Sequence, residues 1–209
     1  MRAKLLMLFA AAVVSITSVH GQDQTASQRP KPPVPGALQQ VESTASKKSQ
    51  AEKYFSDVEL MNQDGKKMRF YSDVLKNKVV IINTFFTTCT SVCPPLNRNF
   101  EKVQEALGER LGKDAFLVSI SVDPQTDTPT RLKEYGRRFH AREGWVFLTG
   151  TKENVDWALY KLGQYVEAKD EHSTIIIIGN EPKGLWKKAF GLAKSDELVK
   201  IVEDVMNDR

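Results

Sequence analysis

The strongest chemical signal in the sequence is a pair of cysteines, Cys89 and Cys93, four positions apart and followed by Pro94. They are the only two cysteines among the 209 residues. Thiolates are nucleophiles and soft metal ligands, so the pair could exchange disulfides or help to bind a metal ion. Two cysteines exclude a disulfide framework and any four-thiolate zinc or iron–sulfur site built from one chain. A buried, inert pair is the remaining alternative.

A metal site would need a third ligand, because two thiolates alone hold a metal ion weakly. Two histidines follow the first 21 residues, His140 and His172. His140 ends a helical pattern, where a cation complements the helix dipole, and we interpret it as a surface residue. His172 comes just before the apolar run 175–178. If that run forms a strand beside the one leading to the cysteines, His172 approaches them. We therefore predict that Cys89, Cys93 and His172 bind a metal ion.

The ligand types also indicate which metal the site would prefer. Two thiolates and one imidazole suit Cu(I), and they suit Cu(II) when a weak ligand or a water is added. Zinc with a bound water fits the same three ligands. The high share of sulfur favours copper over zinc, and so does export from the cytoplasm, which the N-terminus indicates.

The N-terminus has the pattern of an export signal. Arg2 and Lys4 precede an apolar run, and small residues lead to Gly21 before the chain becomes polar. We predict a signal peptide over residues 1–21 and an exported location, periplasmic or otherwise extracytoplasmic, where cysteines can be oxidised. A retained membrane anchor is the alternative. The 15 residues from 5 to 19 are fewer than the roughly 20 that a spanning helix needs.

A linker is predicted next, over residues 22–52. It is rich in Gln, Ser, Lys and Pro, and four of the nine prolines lie between Pro30 and Pro35. Such a segment has too few apolar side chains to offset the entropy of ordering it. The whole sequence has 30 basic and 26 acidic residues, and two of the basic ones lie in the predicted signal peptide. We therefore expect no nucleic-acid partner, which would require a basic stripe on one face.

From residue 53 onward, apolar runs alternate with helical patterns, which predicts βαβ units in one domain spanning 53–209. The run 79–86 is apolar on both faces, as expected for a central strand covered by helices. Further strands are predicted at 115–122, 145–148, 175–178 and 185–189. An N-terminal β-hairpin is predicted over 54–70, with Asp64-Gly65 as its turn. The predicted fold is α/β and thioredoxin-like, with a central mixed, mainly parallel sheet and helices on both faces.

This fold would place the cysteines where chemistry is usual. They follow the carboxyl end of the run 79–86, and in open parallel sheets ligands bind at that end. A helical pattern begins after Pro94, and the partial positive charge of a helix N-terminus favours thiolates. An offset of four residues is expected to place both cysteine side chains on one face of a helical turn.

Several motifs in fixed order carry a specific resemblance between residues 79 and 190. They are Cys89-x-x-x-Cys93-Pro94, Ser119-Ile120-Ser121-Val122-Asp123-Pro124, Asp127-Thr128-Pro129, Leu148-Thr149-Gly150 and His172-Ser173. In this combination the sequence resembles the Sco/SenC family, copper-binding thioredoxin-like proteins that assist the assembly of respiratory cytochrome oxidases.

The resemblance implies roles for individual residues. Cys89, Cys93 and His172 would be the copper ligands. The protein would deliver copper to the dinuclear copper centre of cytochrome c oxidase subunit II, or reduce the cysteines of that centre. Other periplasmic copper carriers or thiol reductants are further partners in this interpretation, and the membrane surface would be close. Asp123 would support the site electrostatically or form the turn before Pro124.

The alternative function is enzymatic. An exported thiol–disulfide oxidoreductase or thiol peroxidase would use Cys89 and Cys93 as a redox-active pair, through a mixed disulfide. Dedicated oxidoreductases of this fold place two residues between their cysteines and a cis-proline before the strand that faces them. Here three residues intervene, and Ser173 follows His172 at the corresponding place. These differences favour a metallochaperone, which binds and transfers a metal ion without turnover.

Overall fold

The computed structural model describes residues 49–207. The predicted signal peptide, 1–21, and the predicted linker up to residue 48 lie outside the described residues. The rest of the chain forms one sheet of seven strands packed against helices. The described residues begin four positions before the domain predicted over 53–209 and end at residue 207.

Strands and helices alternate through most of this domain. The strands are β1 (Glu59–Asn62), β2 (Lys67–Arg69), β3 (Val79–Phe85), β4 (Ala115–Ser121), β5 (Trp145–Gly150), β6 (Ile175–Asn180) and β7 (Leu185–Phe190). The helices are α1 (Gln50–Phe55), α2 (Cys93–Leu107), α3 (Pro129–Arg137), α4 (Lys152–Leu162) and α5 (Ser195–Met206). None of these helices is both long and apolar enough to cross a lipid bilayer.

The N-terminal hairpin is formed by β1 and β2, which pair antiparallel around Gly65. The predicted hairpin began at residue 54, but residues 54 and 55 belong to α1. Helix α1 forms because the Ser49 side chain accepts a hydrogen bond from the Glu52 backbone N–H and so caps the first turn. Phe55 then packs between the rings of Phe70 and Trp186. The last residues of the predicted linker are thus part of the folded domain.

The strand order in the sheet is β2-β1-β5-β4-β3-β6-β7. The parallel pairs are β3 with β4 and β4 with β5, while the other four neighbouring pairs are antiparallel. The mixed sheet predicted from the sequence is confirmed, but parallel pairing is confined to its three central strands. The two hairpins, β1–β2 and β6–β7, supply the antiparallel edges.

The direction of β6 differs from the expectation for a βαβ unit. A strand, a helix and a second strand in sequence usually give a parallel crossover. Here the irregular segment 163–174 between α4 and β6 lets the chain enter the sheet from the opposite end. In the antiparallel register, Ile82 of β3 lies opposite Ile177 and Val79 lies opposite Asn180. The start of β6 therefore lies beside the end of β3, at the edge of the sheet where the cysteines follow.

Hydrophobic side chains fill both faces of the sheet, as predicted. Side chains alternate along β3, so that Ile81 and Phe85 point to one face and Val80 and Ile82 to the other. The first face packs against α2, α3 and α5, with a core that includes Leu96, Phe100, Leu132, Tyr135, Leu198 and Val202. The second face packs against α1 and α4, with Phe55, Phe70, Val155, Leu159 and Leu162. This two-sided burial fixes β3 and β6 firmly, and the cysteines and His172 are attached to their ends.

The β6–β7 hairpin supplies a test of this packing. A Cβ atom on Gly179 would lie 2.3 Å from the ring of Trp186 on β7, so the ring or the strand would have to move. We expect Gly179→Ala to lower the free energy of unfolding by about 1–3 kcal/mol, measured by urea denaturation. In the control Gly150→Ala, the new Cβ would find its nearest atom at an ordinary 3.4 Å. Equal stability of the two variants would contradict the packing described.

Candidate metal centre

The two cysteines lie within and directly after the loop between β3 and α2. Cys93 is the first residue of α2, whereas Cys89 precedes the helix, contrary to the expectation of a shared helical turn. The loop turns back because the Cys89 backbone N–H donates a hydrogen bond to the Phe86 carbonyl, at 3.1 Å. Both cysteines are buried and both are free thiols. The turn, instead of a helix face, brings the two sulfurs together.

His172 approaches these sulfurs from the segment that leads into β6. It follows a short 3₁₀ turn, Lys169–Glu171, and stands three residues before β6. Its Nε2 lies 3.3 Å from Cys93 Sγ and 4.0 Å from Cys89 Sγ. The structure therefore brings all three predicted ligands together, with their ligand atoms within 4.8 Å of one another. They form the only such group of His, Cys, Asp or Glu residues within residues 49–207.

The donor set fits a soft metal ion. Two sulfurs and one imidazole nitrogen converge, and no carboxylate belongs to the group, so the hard-oxygen ligands that Ca²⁺ and Mg²⁺ prefer are missing from this cluster. The imidazole is 7% exposed, and its Nδ1 has no hydrogen-bond partner among the described residues. The ring of Phe86 contacts the imidazole edge to face, with the ring centres 5.4 Å apart. Burial keeps the three ligand atoms away from bulk water.

The two thiols have opposite electrostatic environments. Burial works against ionisation of Cys89, but hydrogen bonds from the Cys93 thiol, His172 and the backbone N–H groups of Cys93 and Ser91 outweigh it and lower its pKa to about 6. Burial raises the pKa of Cys93 well above the usual range of a thiol, and the neighbouring Cys89 sulfur raises it further. At neutral pH the pair is thus one thiolate, Cys89, next to one protonated thiol, Cys93.

Asp127 holds the start of the cysteine loop in place. This side chain is fully buried, and it accepts hydrogen bonds from the Thr87 backbone N–H at 3.0 Å and from the Ser121 hydroxyl at 2.6 Å. The Thr87 hydroxyl donates a third hydrogen bond to the same carboxylate. A buried charge is tolerated only with such partners. Asp127 therefore fixes the loop to the end of β4.

A hydrogen-bonded network of buried polar side chains holds the backbone of Cys93 in place. Asn97 on α2 donates to the Cys93 carbonyl at 3.1 Å and to the Tyr135 hydroxyl at 2.9 Å, and its side-chain oxygen accepts from Asn83 at 3.0 Å. Asn83 in turn accepts a hydrogen bond from Ser119. The network joins β3, β4 and α3 to the first turn of α2. It fixes the position of that turn relative to the sheet.

Two other residues singled out from the sequence have clear positions. Asp123 forms the turn that was considered for it, and its carboxylate is paired with a lysine; an electrostatic role at the site stays a prediction. Its backbone carbonyl accepts hydrogen bonds from the N–H groups of Thr126 and Asp127, which makes the turn, and its carboxylate forms an ion pair with Lys169. His140 lies at the surface, as predicted, where its Nδ1 contacts a carboxylate oxygen of Glu101. It is not part of the group formed by Cys89, Cys93 and His172.

Sequence reasoning missed Asp127 and Asn97 as supports of the site, and it missed Lys169. Asp127 was part of a motif and follows β4 at the same sheet edge as the cysteines, so its position was a usable signal. Asn97 stands one helical turn after Cys93, where a polar residue within an apolar helix face indicates a buried hydrogen bond. Lys169 gave no signal, because a lysine in a charged stretch usually points to solvent.

The unequal environments of the thiols predict unequal reactivity. In the reduced protein, Cys89 is expected to react with iodoacetamide at a rate that is half-maximal near pH 6, because the thiolate is the reactive form. Cys93 is expected to remain largely unlabelled at neutral pH, since it is buried and protonated. Peptide mass spectrometry locates the label. His172→Ala should shift the Cys89 profile to higher pH by removing one hydrogen bond. Equal labelling of both cysteines, rising only above pH 8, would contradict this assignment.

The described domain is similar to known proteins of one family. The SCO1/SenC family model matches residues 46–207. The SCO1 protein homolog of Bacillus subtilis is 30% identical over 154 residues, which cover 69% of this chain and 77% of that protein. Some other curated relatives, SCO2-like proteins from Rickettsia, are matched over just under half of their length.

Solved structures show the same fold. The structure of Arabidopsis thaliana ScoI with copper bound is 25% identical, with a TM-score of 0.60 over 72% of this chain and 96% of that one. BsSco, described as a member of the Sco family of cytochrome c oxidase assembly proteins, is 24% identical with a TM-score of 0.60 over 72% and 92% of the two chains. The family match over residues 46–207 includes every element of the described domain and Cys89, Cys93 and His172, the three residues of the candidate metal centre. The chain belongs to the SCO1/SenC family.

Proposed function

We propose that the protein is an exported copper metallochaperone that binds one copper ion on Cys89, Cys93 and His172 and delivers it to the dinuclear copper centre of a cytochrome c oxidase. The observation that carries this proposal is the convergence of two thiol sulfurs and one imidazole within 4.8 Å. Two segments far apart in the sequence, the β3–α2 loop and the segment before β6, meet to form it.

Copper is the favoured ion on two grounds. The site has twice as many soft sulfur donors as nitrogen donors, which suits Cu(I) better than a harder cation. A structurally similar family member, Arabidopsis ScoI, has been solved with copper bound, and a relative from Stutzerimonas stutzeri is described as a putative copper-binding protein. Zinc is compatible with the same donors, and the metal titration described below distinguishes the two ions.

The two thiols suit reversible loading. Cys89 is a thiolate at neutral pH and can bind Cu(I) directly, while Cys93 loses its proton when the second Cu–S bond forms. His172 provides the third ligand and is needed most for Cu(II), which prefers nitrogen ligands more than Cu(I) does. A site with only three protein ligands leaves room for a ligand of the acceptor. Copper can then pass to the acceptor by stepwise ligand exchange.

The family and the N-terminal pattern support a recipient and a compartment for this proposal. Sco proteins are described as cytochrome c oxidase assembly proteins, and this supports subunit II, which contains the dinuclear copper centre, as the acceptor. Other periplasmic copper carriers and thiol reductants are the further partners in this proposal. The signal pattern over residues 1–21 supports export to the periplasm or another extracytoplasmic compartment, close to the membrane surface.

Thiol–disulfide exchange is a second candidate function, favoured by the lowered pKa of Cys89. The Cys89 thiolate would attack a target disulfide, forming a mixed disulfide and releasing one target thiolate. Cys93, once deprotonated, would attack the Cys89 sulfur and release the second target thiolate. The protein would then contain a Cys89–Cys93 disulfide, and the target would have gained two electrons. A thiol reductant would be needed to restore the starting state.

The copper proposal predicts a specific effect of His172. The reduced full-length chain should bind one Cu(I) per molecule in a competition titration, and bind it in preference to zinc. His172→Ala should weaken Cu(II) binding by at least about tenfold and remove the visible sulfur-to-copper charge-transfer band, because a ligand is lost. His140→Ala is the matched control, since His140 lies outside the group, and it should bind as the wild type does. Unchanged Cu(II) affinity and an unchanged band in His172→Ala would refute the ligand assignment.

One assay distinguishes the two candidate functions. Disulfide reduction and peroxide turnover are measured with the wild type and with Cys89→Ser, both free of metal. The metallochaperone proposal predicts rates far below those of a dedicated thiol reductase. Rates comparable to such an enzyme, lost in Cys89→Ser, together with no copper bound by the wild type, would favour the enzymatic function.

A further inference from the structure

Residues 165–171, which precede His172, make few contacts with the rest of the domain, whereas the carbonyls of Ser173 and Thr174 after it accept hydrogen bonds from Thr84 and Gly191. Residues 163–174 connect α4 to β6, and their regular structure is limited to the 3₁₀ turn Lys169–Glu171. Between residues 165 and 171 no residue is buried. The next residue, His172, is buried against the cysteines. A segment with so few apolar contacts cannot fix the imidazole by packing alone.

One side chain of this segment is bonded to another element of the domain. Lys169 Nζ lies 2.7 Å from Asp123 Oδ2 in the turn after β4. Among the hydrogen bonds and ion pairs of the described residues, this is the one that joins a side chain of residues 165–171 to the rest of the protein. The backbone of Lys169 contributes as well, because its carbonyl accepts a hydrogen bond from the His172 N–H. Lys169 thus contacts both Asp123, which anchors it to the turn after β4, and His172.

The anchor itself is well fixed. The Asp123 side chain is only 13% exposed, and its backbone N–H donates to the Ser121 hydroxyl at 3.0 Å. Ser121 also donates to Asp127, the carboxylate that holds the start of the cysteine loop. The lysine is therefore bonded to the same polar cluster at the end of β4 that fixes the loop on the opposite side of the site. The cysteine loop and the segment before His172 are thus both bonded to the polar cluster at the end of β4.

A shared aromatic ring links the lysine to the imidazole. Lys169 Nζ lies over the face of Phe86, 5.2 Å from the ring centre, and the His172 imidazole packs against the same ring in a T-shaped arrangement. Phe86 begins the cysteine loop, and its carbonyl accepts the hydrogen bond from Cys89. A cation over an aromatic face is attracted by the ring quadrupole, and this favours the same position of Lys169 as the ion pair does.

We propose that Lys169 is a positioning residue of the copper site, which holds the His172 imidazole at the cysteine pair through its ion pair with Asp123 and its contact with Phe86. This inference rests on the proposed copper-binding function and adds a determinant of affinity outside the three ligands. Loss of the ion pair frees the segment 165–171, so that the imidazole spends less time within reach of the sulfurs. Release of this segment is then a route by which an acceptor could take the histidine ligand away and weaken the hold on copper.

The first test compares lysine variants in the reduced, full-length chain. Lys169→Met keeps an unbranched side chain one atom shorter and removes its charge, so Cu(II) affinity should fall roughly three- to tenfold and the charge-transfer band should weaken. Lys169→Arg keeps the charge and should restore most of the affinity. The matched control is Lys133→Met, which removes another lysine–aspartate ion pair between separate elements, 2.8 Å long, with Asp64 in the N-terminal hairpin. This control should bind copper as the wild type does.

The second test asks whether Lys169 acts through His172 and Asp123. In the His172→Ala background, Lys169→Met should cause no further loss of Cu(II) affinity, because the ligand that it positions is gone. In the Asp123→Asn background its effect should shrink to the part contributed by Phe86. A merely stabilising lysine would give the same loss in every background, and that result would overturn the proposal.

A third measurement needs no metal. In the metal-free reduced protein, amide hydrogen exchange at His172 and Glu171 should be faster in Lys169→Met than in Lys133→Met, while the global free energy of unfolding stays the same. Wild-type exchange rates and wild-type copper affinity in Lys169→Met would overturn the positioning role. Failure of the proposed function looks different, since the wild type itself would then bind no copper.

Discussion

The candidate metal centre depends on the antiparallel pairing of β6 with β3. The cysteines follow the end of β3 and His172 precedes the start of β6, so the three ligands meet only if these two strand ends lie at the same edge of the sheet. A parallel β6 would place His172 at the opposite edge, roughly 20 Å away, because six strand residues advance about 3.3 Å each. Ile176, Ile177 and Ile178 of β6, buried on the two faces of the sheet, keep the strand in this register.

Polar groups then hold the ligands at this edge with the accuracy that a metal site needs. Asp127 fixes the loop before Cys89, Asn97 fixes the turn that begins with Cys93, and Lys169 connects the His172 segment to the same support. Each of these groups has hydrogen-bond partners, which the buried Asp127 and Asn97 need in a stable protein. Several hydrogen bonds therefore hold the cysteine side of the site, whereas few hold residues 165–171 before His172. Such an arrangement suits a site that must bind a metal ion and later release it.

Much of this could be predicted from the sequence, and the failures have physical causes. Apolar runs and helical spacing located β3 to β7 and α2 to α5, because burial on the two faces of one sheet imposes those patterns. The direction of β6 could not be predicted, since an apolar run has the same pattern in either direction. Helix α1 was not predicted, because its formation depends on the cap at Ser49 and on the packing of Phe55 in the folded domain. The cysteines and His172 were identified by residue type, whereas Lys169 acts through a partner 46 positions away.

The imidazole and both sulfurs are proposed to bind the same ion, and X-ray absorption spectroscopy of the Cu(I)-loaded protein tests this most directly. The fine structure at the copper edge reports the number and type of ligand atoms. We expect two sulfur neighbours and one nitrogen neighbour, with the outer-shell scattering of a single imidazole that disappears in His172→Ala. A spectrum with two sulfurs and no imidazole, or one that His172→Ala leaves unchanged, would contradict the geometry proposed for the site.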